Sequence, residues 1–236
     1  MSNHTRIALF DILRGFTIVS MVAFHATYDL VYIFHVDIPW FGLTLATDVW
    51  RCSISWTFLL LAGWMTSFSR NNMRRAAIYG AAALMVFLVT TVAAVDTPIS
   101  FGILFCMAAC TLMHALLQPL LDRVNPSIVV VVALMLFAAT YQLPRTTYSI
   151  EGLAWLGFPS ASFTSGDYYP IIPYFFMYEA GAALARLFAK THPDGYPSWM
   201  ERNWCPPLAT IGKMSLPIYL IHQPAVLVIL TLIFGS

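Results

Sequence analysis

Two stretches, near opposite ends of the chain, set ionisable side chains inside otherwise apolar runs. The first is Phe24-His25-Ala-Thr-Tyr-Asp29. His25 and Asp29 are four residues apart, so on a helix they share one face. A carboxylate placed there can hold an imidazole's tautomer and raise its basicity, which is the arrangement a general base needs. An intrahelical hydrogen bond that only helps packing reads the spacing equally well. The second stretch is Gly212-Lys213-Met-Ser-Leu-Pro217-Ile-Tyr219-Leu-Ile-His222-Gln223-Pro224. Prolines inside a membrane helix free backbone carbonyls that other groups must satisfy. His222 beside Gln223 therefore either satisfies a freed carbonyl or, with Tyr219, lines a polar pathway.

Other polar residues have simpler readings. Asp11 and Arg14 are three apart and pair with each other; gripping an anionic ligand is the alternative. Asp48 and Arg51 have the same spacing. Glu179 sits in Phe-Met-Tyr-Glu179-Ala-Gly, and a lone carboxylate in an apolar helix neutralises or finds a cation. Arg51 is the expected cation, in an ion pair that fixes helix register. His35 falls in a loop, His114 reads as packing or interfacial, and His4 and His192 are expected in solvent. Cys106 and Cys110, four apart, read as small buried hydrophobes. No metal-ligand spacing and no nucleotide-binding glycine fingerprint occurs.

The elements that must position these residues are membrane helices. Of 236 residues, 59% are hydrophobic and 10% charged, whereas soluble domains carry about 25% charged residues. Mean hydropathy is +0.74. The apolar runs are continuous rather than alternating, which excludes a β-barrel, and a net charge of +1 without a basic stripe gives no sign of nucleic-acid binding. The chain reads as one all-α domain, residues 1–236, an integral membrane bundle of about seven transmembrane helices. The expected spans are Ala8–Phe34, Leu45–Phe68, Ala76–Val95, Ile99–Leu121, Ser127–Tyr141, Pro170–Ala189 and Ile211–Phe234. Asp96-Thr-Pro98 reads as a tight turn. Two polar connections stand out. Residues 143–169 suit a lid or binding loop, and residues 190–207 hold Trp199 and Trp204, suited to an interfacial anchor. The first span is not followed by a small-residue cleavage site and reads as uncleaved. Lysine and arginine placement puts the N-terminus in the cytoplasm and the C-terminus outside.

Several blocks resemble bacterial members of the heparan-α-glucosaminide N-acetyltransferase-like family. They are Phe-Asp11-Ile-Leu-Arg14-Gly, Phe-His25-Ala-Thr-Tyr-Asp29-Leu, Arg51 through Phe-Leu-Leu-Leu-Ala-Gly63, Ser100-Phe-Gly-Ile-Leu-Phe105, Asp167-Tyr-Tyr-Pro170-Ile-Ile-Pro173 and Ser215-Leu-Pro-Ile-Tyr-Leu-Ile-His222-Gln-Pro224. They occur in the family's order and span nearly the whole chain. The resemblance implies a membrane-embedded acyltransferase that moves an acetyl group from cytosolic acetyl-CoA, a co-substrate, to an amino-sugar or glycan acceptor on the outer side. It sets a functional asparagine of the family near His25 and its essential histidine near His35 to Asp37. Phe105 stands where the family's block continues to a histidine.

On this reading His25, Asp29 and His35 are the catalytic candidates. Arg51, Glu179, Tyr219, His222 and Gln223 line the substrate path, and Asp11, Arg14 and Lys213 face the coenzyme. The partners are the lipid bilayer of a bacterial cytoplasmic membrane and a small-molecule or glycan substrate, with self-association left open. A transporter or lipid-handling protein that uses Arg51, Glu179 and His222 as a relay is the alternative, and a purely structural bundle is a third.

Overall fold

The computed structural model describes residues 6–42, 44–93 and 97–235. His4 and the Asp96 position of the expected turn lie outside them. Nine α-helices appear among the described residues: α1 Ala8–Tyr32, α2 Leu45–Trp64, α3 Asn72–Ala93, α4 Ile103–Leu121, α5 Pro126–Thr140, α6 Ile171–Thr191, α7 Ser198–Glu201, α8 Pro206–Lys213 and α9 Ser215–Phe234. The described residues contain no strand, only two isolated bridges. The fold is all-α.

Five stretches are long and apolar enough to cross a membrane: Ala8–Tyr32, Asn72–Ala93, Ile103–Leu121, Pro126–Arg145 and Ser215–Phe234. α2 and α6 have the length, at 20 and 21 residues, but not the apolarity. For α6 the reason is its surroundings. It packs against both α4 and α5, and ten of its residues are buried, so its side chains meet protein rather than lipid. The last expected span is also two helices. The chain leaves helical geometry at Met214, between α8 and α9.

The chain divides into two compact units. One comprises Met1–Phe58 and Asp194–Ser236. Within it α1 packs along α8 and α9. A Cβ on Gly15 would overlap the Leu208 carbonyl, and one on Gly212 the Asp11 carbonyl. Glycine at both crossing points lets the two backbones meet, as small residues do between membrane helices. Trp50 Nε1 donates to Ser20 Oγ at 2.8 Å, which ties α2 to α1 beside the buried cluster of Ile18, Met21 and Ile54.

The other unit is Leu59–Pro193, built on the pairs α3–α4 and α5–α6. Gly63 and Gly181 repeat the close crossing, since their Cβ atoms would overlap the Tyr178 and Leu60 carbonyls. The long polar connection is stitched to the segment before α4. Asp167 Oδ2 accepts from Ile103 N at 3.1 Å and so caps the α4 N-terminus. Ser165 Oγ accepts from Ser100 N at 3.1 Å, and Tyr169 N donates to the Phe101 carbonyl at 2.8 Å. Tyr168 donates to the Ala154 carbonyl at 2.7 Å. Burial pushes its hydroxyl pKa up, and Tyr148 adds to the shift. This connection is a fastened strap.

Candidate active site

The first unit gathers the polar residues of the two sequence stretches. On α9, His222 lies 8% exposed in a run of apolar residues. The turn ahead of Pro224 supplies a ready acceptor: His222 Nδ1 sits 2.5 Å from the Tyr219 carbonyl. A carbonyl oxygen can only accept, so Nδ1 carries the hydrogen and neutral His222 keeps a bare lone pair on Nε2. That Nε2 is buried and has no hydrogen-bond partner among the described residues. Gln223, the next residue, donates from Nε2 to both oxygens of Asp29, at 2.9 and 3.0 Å. A carboxylate needs a donor, which fixes the amide orientation and turns Gln223 Oε1 away from Asp29. Oε1 is likewise buried and unpartnered.

His25 completes the group. Its ring centre lies 5.0 Å from that of His222, and its side chain forms no hydrogen bond among the described residues. The expected His25–Asp29 bond is therefore not made. Asp29, fully buried, is held by Gln223 from α9. The reason is reach. A short aspartate on a helix bonds readily to an amide presented from the neighbouring helix, while the His25 ring turns towards His222. Phe24 meets His25 edge-on at 6.0 Å and Trp50 at 5.2 Å, so apolar rings border the group.

The remaining candidates are placed elsewhere. His35 is exposed in the segment after α1, with φ 55° in the left-handed region, and its side chain makes no hydrogen bond among the described residues. Asp11, 2% exposed, accepts from Arg14 at 3.1 Å as its spacing suggested. It also takes Arg6 at 2.5 Å, a partner the spacing did not announce. Bonding to Asp11 raises the Arg6 pKa, against partial burial. Lys213 is exposed at the end of α8.

Arg51 and Glu179, expected to pair with each other, are each bonded to another residue. Arg51 bonds Asp48 at 2.8 Å, one turn away and at the edge of solvent. Glu179, 4% exposed, meets His114 Nδ1 at 2.9 and 3.2 Å. His114 is thus the buried partner of a carboxylate, a role that its place on α4 hid. Sixty-five residues separate the two, and only a search for a titratable group at matching helix depth could have joined them. Tyr178 and Thr111 hydroxyls bond beside them at 2.9 Å. Cys106 and Cys110 are buried as expected, with their sulfurs 3.7 Å apart. Among the described residues no cluster of three or more His, Cys, Asp or Glu could hold a metal ion.

Residues 6–224 match the family profile described as heparan-alpha-glucosaminide N-acetyltransferase, catalytic. The chain belongs to this family. The match runs from Arg6, just ahead of α1, to Pro224 on α9 and so takes in the whole His25–His222 group. With five helices fit to cross a bilayer, this member of the N-acetyltransferase family is a multi-pass membrane protein. No curated protein and no solved structure matches the chain.

Proposed function

We propose that this chain is a membrane-embedded acyltransferase that moves an acetyl group from cytosolic acetyl-CoA to an amino-sugar or glycan acceptor on the outer side of a bacterial cytoplasmic membrane. The bundle then has seven spans, α2 and α6 included, with the N-terminus in the cytoplasm and the C-terminus outside. One observation carries the chemistry: two buried acceptor atoms, His222 Nε2 and Gln223 Oε1, without partners among the described residues. Buried polar atoms are paired in the great majority of cases, so exceptions point to chemistry or to a ligand. Two acceptors side by side on α9 suit a group that brings donors. An amine or a hydroxyl is such a group.

In this reading the acceptor's N–H or O–H donates to His222 Nε2, while Gln223 Oε1 takes a second hydrogen and orients it. As the acceptor's nitrogen or oxygen bonds the thioester carbonyl carbon, its proton passes to Nε2. The carbon–sulfur bond breaks, sulfur leaves with the electron pair, and Nε2 returns the proton to it. Such positioned proton transfer contributes about 10²–10⁴-fold, and holding the partners together supplies more. Asp29 keeps the Gln223 amide in one orientation, and His25 borders the group. His222 thereby takes the role of base that the sequence reading gave to His25.

The test is transfer of a labelled acetyl group from acetyl-CoA to glucosamine-bearing acceptors by the purified protein, with and without His222→Ala. Transfer that disappears in the variant supports the reading. Transfer that persists removes His222 as base, and no transfer or coenzyme A binding by well-folded protein removes the function.

A further inference from the structure

Trp199 and Trp204, in the connection between α6 and α8, are 55% and 58% exposed. Met200 beside Trp199 is buried, and α7, which carries both, packs against α1. The short helix thus faces the bundle with its methionine and leaves the two indoles outside. Exposed indoles are costly in water and suit a boundary that is apolar on one side and wet on the other. Their place in the unit agrees. Tyr196, three residues before Trp199, meets Phe10 in the first turn of α1 edge-on at 5.8 Å. At that end of α1, Asp11 takes both Arg6 and Arg14, and charged side chains at the end of a span sit at headgroup level.

The same segment holds a positioned cation. Trp204 Nε1 donates to the Trp199 carbonyl at 2.7 Å, which fixes the Trp204 ring. The Arg202 guanidinium lies over that ring, 4.4 Å from its centre. Such stacking holds the cation by the ring face and uses none of its N–H donors. Among the described residues the Arg202 side chain forms no hydrogen bond and no ion pair. The Trp199 indole N–H is unspent there too. A guanidinium already laid on a fixed ring loses less freedom on binding than a free one. Its fork matches phosphate oxygens bidentately.

We infer that Arg202, laid on Trp204 beside Trp199, is a binding site for an anionic phospholipid in the leaflet at the start of α1. The guanidinium clamps the headgroup phosphate, and the indole faces take the glycerol and upper acyl chains. A zwitterionic lipid carries the same phosphate together with its own cation, which competes with Arg202. An anionic lipid carries no such cation and is preferred. The inference does not rest on the acyltransferase reading, because lipid binding is read without turnover.

The experiment places the full chain in nanodiscs of mixed phosphatidylglycerol and phosphatidylcholine and reads the retained lipid by native mass spectrometry. Wild-type protein is expected to keep phosphatidylglycerol, and Arg202→Gln to weaken that preference about fivefold. Trp204→Leu removes the ring but no charge and should weaken it about threefold, while Trp204→Phe stays near wild type. If Arg202→Gln fails to fold, the two Trp204 variants are read alone, with the same contrast expected. Equal retention of both lipids by wild-type protein overturns the inference, as does a preference unchanged in Arg202→Gln. Loss in Arg202→Gln without loss in Trp204→Leu makes Arg202 an ordinary surface charge and overturns the stacked site. Displacement of the lipid by excess inorganic phosphate overturns the lipid as occupant and leaves a site for a free anion.

Discussion

His222 and His114 are matched in burial, at 8% and 5% exposed, and each is anchored through Nδ1 on a membrane-length helix. They differ in what anchors them. His114 meets the Glu179 carboxylate at 2.9 Å, and neither member of that pair is left among the buried polar atoms that lack a partner. His222 meets a backbone carbonyl, which fixes the tautomer and brings no counter-charge, and its Nε2 stays bare. Burial alone therefore does not mark a functional histidine. The first pair offsets two buried polar groups against one another and holds α4 to α6. The second keeps a lone pair available beside Gln223 Oε1.

The largest effect that would sharpen this contrast is on turnover. His222→Ala should lower acetyl transfer by about 10²–10⁴-fold and leave the thermal midpoint near that of wild type, as read by parallel activity and unfolding assays. Equal loss of stability would make His222 a second His114. In the other unit the pattern should invert. Glu179→Leu or His114→Leu alone should cost about 3–5 kcal/mol of stability by stranding the remaining partner. The double replacement should recover most of it, as judged by denaturation in detergent. A single variant as stable as wild type would show that the pair does not hold the unit.

Gly212→Ala should cost about 1–3 kcal/mol, because its Cβ would meet the Asp11 backbone and overpack the α1–α8 crossing. Gly80→Ala, whose Cβ would meet only a side chain at 3.9 Å, serves as the control and should be neutral or stabilising by up to about 1 kcal/mol. The smallest expected change separates Asp29 from a catalytic role. Asp29→Asn lets the Gln223 amide turn over, so KM for the acceptor should rise about tenfold while kcat moves less. A kcat loss as large as that of His222→Ala would make Asp29 part of the proton path.

Much of the helical layout could be read from the chain, because a bilayer demands long apolar runs whatever packs around them. The starts of α1, α2 and α4 fall within a few residues of expectation, and Pro126 opens α5. α6 falls short of membrane apolarity because a helix enclosed by protein tolerates polar residues, and α2 because Asp48 and Arg51 stand in its exposed first half. The break at Met214 was hidden, since proline and glycine mark that a helix bends but not where its hydrogen bonding stops. Glu179 and His222 are bonded to groups that their spacing did not reveal, His114 and the Tyr219 carbonyl, whereas Arg51 takes Asp48 three residues away.

By itself the sequence determined the all-α membrane class, the family blocks and the identity of the polar stretches. Those follow from composition and from local spacing along one helix. It singled out His25, Asp29, His222 and Gln223 but joined the wrong pair, choosing the neighbours four apart. Only the tertiary structure decided that Asp29 belongs to Gln223, Glu179 to His114 and Arg6 to Asp11. Hydrogen bonds between helices depend on which faces meet, and glycine crossings such as Gly15 with Gly212 set those faces. No periodicity within a single segment encodes that meeting, and it is what leaves His222 Nε2 without a partner.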